Sequence, residues 1–327
     1  MPASHVSDPT ARRIAITGAT GFVGRNIVRE LHDRGWRLRA LVRRPAPEMA
    51  NDIEQVPGSM EDAASLSALV CDAAIVVHCA GAIRAVRRSD FRRVNAVGTR
   101  RLLAAVQQAP EPPRVLLVSS LVAREPRLSA YAASKREAED MLAECGVDHC
   151  TIRPPAVYGP GDQATLPLFR LLTRAVTVLP GSPRSRFSLI FVDDLAACVG
   201  ALIDRPLWNG SLVEPDDGQP RGYAWADLAA IAGRSLGIRV RPLLLPKWLL
   251  WLPAAIAEGV ASVLGRLPLV TLDKLRELYH HDWVSRPTGQ GLLDGWRAST
   301  RFTEGFARTL RWYIQNGWIS APSTDLR

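Results

Sequence analysis

Apolar and polar positions follow two rhythms along the first 150 residues. Short apolar runs at Arg12–Ile16, Leu38–Val42, Ile53–Val56, Ala73–His78, Val115–Ser119 and Val147–Ile152 read as strands. Between them, apolar residues recur at helical spacing after Gly24 and over Ala63–Val70, Ser89–Gln108 and Ser129–Cys145. Asp62 stands where the second of these helices needs an N-cap. Strand and helix in strict alternation predict an α/β fold, with a parallel sheet covered on both faces.

After Arg153 the texture changes. Pro154, Pro155, Gly159, Pro160, Gly161 and Pro167 break the chain into shorter, less regular segments. A smaller mixed lobe is expected here, woven around the sheet. Phe187–Val192 reads as a strand returning to the sheet. It leads through Asp193 and Asp194 into a helix over Leu195–Ile203. Trp225–Leu236 and Thr303–Ile314 are helical by spacing.

Composition narrows the class. A chain of 327 residues, 47% hydrophobic and 22% charged, buries a large core as a soluble globular protein. The net charge of +9 is scattered. Its densest patch, within Ala82–Arg93, has few aromatic residues nearby for base stacking. It therefore predicts a solvated helix face, with no nucleic-acid partner. Five cysteines without paired spacing indicate reduced thiols and a cytoplasmic setting. Residues 1–11 are polar, lack the apolar core of a secretory signal and are expected to be a disordered tail. The most apolar stretch, 243–264, has no uncharged run long enough to span a bilayer. Core packing, cover for a lipophilic substrate and peripheral membrane contact are the readings it leaves open.

Thr17-Gly18-Ala19-Thr20-Gly21-Phe22-Val23-Gly24 lies between the first strand and the first helix. A helix N-terminus offers unpaired N–H groups and a positive dipole end to an anion, and glycine lets a pyrophosphate approach the backbone. The stretch predicts dinucleotide binding in a Rossmann, doubly wound parallel sheet with a smaller mixed C-terminal substrate lobe. Residues 12–165, with 187–204 returning to them, form the expected nucleotide-binding domain. Residues 166–186 and 205–327 form the expected substrate lobe and C-terminal helices. At the end of the second strand, an acidic side chain would select the ribose hydroxyl of NAD. Arg43 and Arg44 stand there instead. Guanidinium groups suit a 2′-phosphate, which favours NADP while leaving NAD open.

Tyr131 and Lys135 lie four apart on a predicted helix and share one face. An ammonium beside a phenol is expected to draw the phenol's pKa toward neutrality and make it an acid/base catalyst. The chain has 41 basic residues, and only Lys135, Lys247 and Lys274 are lysines, which makes this placement informative. Ser119 and Ser120 end the strand before this helix, where a hydroxyl can hold a substrate oxygen. Asn95, in the preceding helix, is placed to hold a water or position the lysine.

These residues, with VVHCAG at 76–81, NAVGT at 95–99, VSS at 118–120, YAASK at 131–135, RPPAVYGPGD at 153–162 and FVDDLA at 191–196, run in family order. The chain resembles an extended short-chain dehydrogenase/reductase, the NAD-dependent epimerase/dehydratase family. Its 243–264 segment resembles 3β-hydroxysteroid-dehydrogenase-like and dihydroflavonol-reductase-like members. The resemblance implies that Ser120, Tyr131, Lys135 and Asn95 form the catalytic set. It implies cofactor contacts from Gly18, Thr20, Gly21, Phe22, Val23, Gly24, Arg43, Ser59, Met60, Cys79, Ala80, Gly81, Lys135, Pro154 and Val157. Asp193 and Asp194 would tie the second lobe to the sheet. Ser59 stands where the family often has an acidic residue for the adenine amine. Leu121 and Val122 follow Ser120 where dehydratases carry an acid pair, so dehydration is not expected. The expected reaction is NAD(P)-dependent dehydrogenation or reduction of a moderately apolar small molecule. A sugar-nucleotide epimerase with bound NAD, or a non-catalytic NAD(P)-sensing subunit, are the alternatives. Pairing through the helices bearing Asn95 and Tyr131 would make a homodimer.

Overall fold

The structure is a computed structural model describing residues 13–263 and 271–320. The expected tail over 1–11, together with Arg12 of the first expected strand and Leu264 at the end of the apolar stretch, lies outside the described residues. In chain order the first half runs β1 (Arg13–Thr17), α1 (Phe22–Asp33), β2 (Arg37–Val42), β3 (Glu54–Pro57), α2 (Ala63–Val70) and β4 (Ala73–His78). A continuous helical stretch follows: α3 (Arg88–Phe91), a π-helical turn (Arg92–Val97) and α4 (Gly98–Gln108). Then come β5 (Arg114–Val118), a 3₁₀ turn (Leu121–Arg124), α5 (Ala130–Ala143), β6 (His149–Ile152) and β7 (Ala156–Tyr158). The second half holds α6 (Leu166–Leu172), β8 (Val176–Pro180), β9 (Arg186–Phe187), β10 (Leu189–Phe191), α7 (Val192–Ile203) and β11 (Ser211–Val213). It ends with α8 (Trp225–Leu236), β12 (Arg241–Leu245), α9 (Lys247–Val263), α10 (Leu272–Leu278), β13 (Asp282–Trp283) and α11 (Phe302–Gln315).

Seven strands form one parallel sheet in the order β11-β6-β5-β4-β1-β2-β3. Side chains alternate across it with the period of two that a strand imposes. Ile14, Ile16, Ile75, Val77, Leu116 and Val118 face one core, which α1 and α7 complete with Ile27, Leu31, Leu195 and Val199. Ala15, Val76, Val115 and Leu117 face the other, closed by Leu66 and Leu69 of α2, Leu102 and Val106 of α4, and Leu142 of α5. Each such Val, Leu or Ile side chain contributes about 1.5–3 kcal/mol on burial. A third core, rich in aromatic rings, holds the C-terminal lobe together through Tyr158, Phe169, Phe302, Phe306 and Tyr313.

One strand expectation fails. The Phe187–Val192 run does not rejoin the main sheet: β10 pairs in parallel with β7 in a separate two-stranded ribbon. The seventh sheet strand is β11, inside the stretch assigned to the substrate lobe, where it pairs with β6. Chain order reverses between β1 and β4, and a doubly wound sheet holds its ligand crevice at the carboxyl ends of strands at such a point.

Candidate active site

At that reversal β1 ends in the glycine turn. Gly18 has φ +73°, and a Cβ on it would come within 2.6 Å of the Ala80 amide nitrogen. A Cβ on Gly24 would collide with the Gly18 carbonyl oxygen. The turn is thus packed against the residues that follow β4. Gly21 is the N-cap of α1, no side chain caps that end, and no acidic residue occupies its first turn. These features fit a dinucleotide pyrophosphate: the helix start keeps its donors for an outside anion. Thr20 and Gly21 are exposed, and Phe22 and Val23 are half-buried behind them. Val23, Cys79 and Val157 pack on the same core edge and bring three separate segments to one rim.

Beneath this rim runs a buried polar relay that the sequence reading missed. The Ala80 amide donates to Thr17 Oγ1 at 3.2 Å, and Thr17 Oγ1 meets His78 Nδ1 at 2.7 Å. His78 Nε2 meets Thr99 Oγ1 at 2.8 Å, and that hydroxyl donates to the Asn95 carbonyl. Because Thr99 gives its only proton to Asn95, it accepts from His78 Nε2–H, and Thr17 then donates to the bare Nδ1. The relay therefore needs a neutral imidazole. Burial, assisted by the nearby Lys135 charge, lowers the His78 pKa to about 3.

Asn95 lies in the π-helical turn, a local widening often found at functional sites. Its Oδ1 accepts from the Ala82 amide at 2.7 Å, and its Nδ2 donates to the Ala82 carbonyl and to Ser134 Oγ. Asn95 therefore clips the loop after β4 to α5. Asn95 Oδ1 and Lys135 Nζ lie 3.2 and 3.8 Å from where a Cβ on Gly81 would stand. The absent side chain leaves both polar heads facing the same small space.

The structure brings Ser120, Tyr131 and Lys135 together. Ser129 caps α5 through the Ala132 amide and sets Tyr131 in the first turn. The Ser120 hydroxyl hydrogen-bonds the Tyr131 phenol. Leu121 donates its amide to the Pro154 carbonyl, which holds Pro154 beside the Ser120 turn. Lys135 is buried, and its Nζ donates to the Val118 carbonyl at 2.8 Å. Burial lowers the Lys135 pKa to about 8. The phenol does not behave as the spacing suggests. Burial pushes Tyr131 up to about 12 against the pull of the Ser120 bond, and Lys135 is not among the charges that move it. The Lys135 charge instead adds to the lowering of His78 and opposes the rise that burial gives the Cys79 thiol, to about 11.

Around this set the packing is specific. Phe91 lies 5.7 Å from the Tyr131 ring, centroid to centroid. Ser119 Oγ donates to Glu139, one turn beyond Lys135, and Glu139 pairs with Arg153 at 2.6 Å. Arg153 also pairs with Glu214, which pairs with Arg124. Two buried carboxylates of α10, Asp273 and Glu277, accept from the Ala130 amide and the Ser129 hydroxyl. Glu139 is one turn from Lys135, but Arg153, Glu214, Asp273 and Glu277 are distant from the site in sequence.

Arg43 and Arg44 follow β2 directly, both exposed and without an ion pair among the described residues. Ser59 and Met60 follow β3; Ser59 Oγ accepts from the Glu61 amide and Met60 packs at Gly98. Asp194 accepts from the Ser299 amide and hydroxyl and from the Thr300 amide, and Asp193 pairs with Arg29 and Arg308. The pair thus ties α7 to the C-terminal segment, as expected. In the basic cluster, Arg88, Arg92 and Arg93 pair with Asp273, Glu137 and Glu61. A surface cavity of about 510 Å³ lies elsewhere, between Arg25, Asp193 and Trp312, away from Tyr131.

Residues 14–210 match the NAD dependent epimerase/dehydratase family. The chain is 38% identical to a ceramide reductase of Caulobacter vibrioides over 94% of this chain and 96% of that one. It is 28% identical to a 3-beta-hydroxysteroid dehydrogenase of Mycolicibacterium neoaurum, covering 86% and 87% of the two chains. Among solved structures, a dTDP-glucose 4,6-dehydratase from Streptomyces venezuelae, with NAD bound, superposes with a TM-score of 0.68. It shares 22% identity and covers 94% of this chain and 99% of that one, a likeness of fold.

Proposed function

The chain belongs to the NAD dependent epimerase/dehydratase family, and from that premise we propose that it reduces a carbonyl group of an apolar, lipid-like molecule with NADPH, or in reverse oxidises the corresponding alcohol with NADP. Its relatives make it a nicotinamide-dinucleotide-dependent dehydrogenase or reductase. The observation that carries the finer reading is that Ser120 meets the Tyr131 phenol, one helical turn from Lys135, whose head faces Gly81 with Asn95.

The residues at the glycine turn would hold the pyrophosphate, and Lys135 with Asn95 would face the ribose end across Gly81. Hydride exchange at carbon is the chemistry that a bound nicotinamide supplies. The protein's own part is the proton. With its pKa near 12, the Tyr131 phenol is protonated at neutral pH and suited to donate to a carbonyl oxygen as that oxygen gains charge. Ser120, hydrogen-bonded to the phenol, stands where its hydroxyl can hold the same oxygen. The Lys135 ammonium, its pKa lowered to about 8 by burial, still supplies positive charge at neutral pH.

Three observations favour an apolar substrate. Ile83 and Val86 stand exposed on the loop that Asn95 clips. Val122, half-buried, stands two residues after Ser120. The similarity to a ceramide reductase spans nearly the full chain. Arg153 does not serve as a substrate anchor, since Glu139 and Glu214 already engage it. For the cofactor, Arg43 and Arg44 after β2 favour the 2′-phosphate of NADP.

The test joins binding to turnover. NADPH is expected to raise the melting temperature more than NADH, and Arg43→Ala to remove the difference. NADPH oxidation is expected with a long-chain keto-amide lipid, and Tyr131→Phe is expected to lower it by about 10²–10⁴-fold while keeping the NADPH response. Stabilisation by NADH alone overturns the NADP assignment. Interconversion of UDP-sugars without net cofactor oxidation would replace the reductase reading with an epimerase.

A further inference from the structure

Helix α9 is built the wrong way round for a helix facing water. Its buried side is small: Ala254 and Ala261, two turns apart, are 5% and 9% exposed. The opposite side carries Trp248, Leu252, Ile256 and Val260 at four-residue spacing, 75%, 61%, 59% and 54% exposed. Leu249 and Trp251 widen this stripe. In an amphipathic helix on a water-facing surface, the large apolar side chains turn inward. Here six of them point outward on one helix.

The charged residues that lead into α9 along the chain have one sign. Arg239, Arg241 and Lys247 are exposed and form no ion pair among the described residues. Lys247 opens α9 next to Trp248. Arg241 shares a strand face with Leu243, whose parallel partner is Val178. Leu243 and Val178 are exposed as well. Glu258 is the only acidic residue of α9, and its carboxylate accepts from the Leu272 amide at the start of α10. A second copy of the chain, at +9, would bring the same positive border against itself. An anionic surface would meet it with the opposite charge.

We propose that the outward face of α9 docks the protein on an anionic lipid bilayer, with the helix lying in the headgroup layer. No described helix is long and apolar enough to cross a membrane, so the contact is peripheral. Tryptophan suits this depth, with an apolar ring and a polar edge, and a basic border adds attraction to anionic lipid. The docking face connects to the active site through one short helix. Glu258 holds the start of α10, and Asp273 and Glu277 of α10 hold Ala130 and Ser129, the residues just before Tyr131. Bilayer contact at α9 thus sets the Tyr131 end of α5 next to the lipid phase, where an apolar substrate resides. This last step rests on the oxidoreductase reading; the docking does not.

The test is flotation of the full chain with vesicles of phosphatidylcholine alone and of phosphatidylcholine mixed with phosphatidylglycerol. The chain is expected to float with the mixed vesicles. L252E/I256E is expected to stay in the aqueous fraction with an unchanged melting temperature, since both side chains are exposed. R241E/K247E is expected to weaken partition onto mixed vesicles by roughly tenfold or more, from the attraction each cation adds near an anionic surface. Wild-type chain that stays in the aqueous fraction overturns the proposal, as does L252E/I256E that floats like wild type. A dimer in solution that L252E/I256E converts to monomer, with no wild-type flotation, would assign the face to a second copy. Flotation involves no turnover, so it fails or succeeds separately from the reductase reading.

Discussion

The neutral His78 relay makes a quantitative prediction about acid stability. His78 titrates near 6.5 when solvated and near 3 in the fold. Between those values the unfolded chain binds a proton that the folded chain does not. Stability therefore rises with pH through the window, is fully present above 6.5, and is lost as pH falls toward 3. Each pH unit well inside the window costs about 1.4 kcal/mol, and the integrated loss from pH 7 to pH 5 is about 2 kcal/mol. Carboxylates titrate in the same direction at lower pH, so the assay is a comparison. Urea unfolding of wild type and His78→Gln is measured at both pH values. The variant starts lower, by about 1–3 kcal/mol, because it leaves a buried hydroxyl without its partner. Its loss on acidification is expected to be about 2 kcal/mol smaller than that of wild type. Equal losses in the two proteins would refute the neutral relay, and with it the proton assignment along Thr17, His78 and Thr99.

Three further outcomes follow from the geometry. Gly18→Ala is expected to abolish stabilisation by NADPH, because its Cβ would press on the Ala80 amide. Gly146→Ala also sits at positive φ but meets nothing within 4 Å, and should cost only about 1–2 kcal/mol with the NADPH response intact; thermal shift separates the two. Glu139→Ala leaves Arg153 short of a buried partner and is expected to lower unfolding stability by about 3–5 kcal/mol in urea. Lys135, held near pH 8 by burial, loses its charge as pH rises through that value. Wild-type affinity for NADPH should then fall above pH 8, whereas Lys135→Met should bind weakly with a flat profile; equal profiles in a titration would remove Lys135 from the cofactor site.

The elements that the sequence makes legible are those whose signal is local. Asp62 caps α2 through the Ala64 amide, and the helix spans the residues that its spacing predicts. Tyr131 and Lys135 sit on one helix because a four-residue interval puts them there. The glycine turn is readable because strand, glycines and helix are consecutive. What could not be read depends on partners distant in sequence. β10 was visible as an apolar run, yet its pairing with β7 is a choice among sheet edges that no local pattern encodes. β11 is three residues long, too short to show alternation.

The polar interior follows the same logic, and it decides how the site works. The spacing of Tyr131 and Lys135 says that they share a face, but not which way the ammonium turns. That direction is set by the Val118 carbonyl, which accepts from Lys135 Nζ. The phenol is governed by its burial and by Ser120, from another strand end. A histidine inside the apolar run Ala73–His78 was the one local warning, because a buried imidazole requires partners. Those partners, Thr17 and Thr99, join the end of the glycine strand to the π-helical turn that carries Asn95. The site is therefore aligned from below by a neutral hydrogen-bond relay. A proton on His78 would leave Thr17 without its acceptor, which ties the end of the glycine strand to the charge state of the imidazole beneath it.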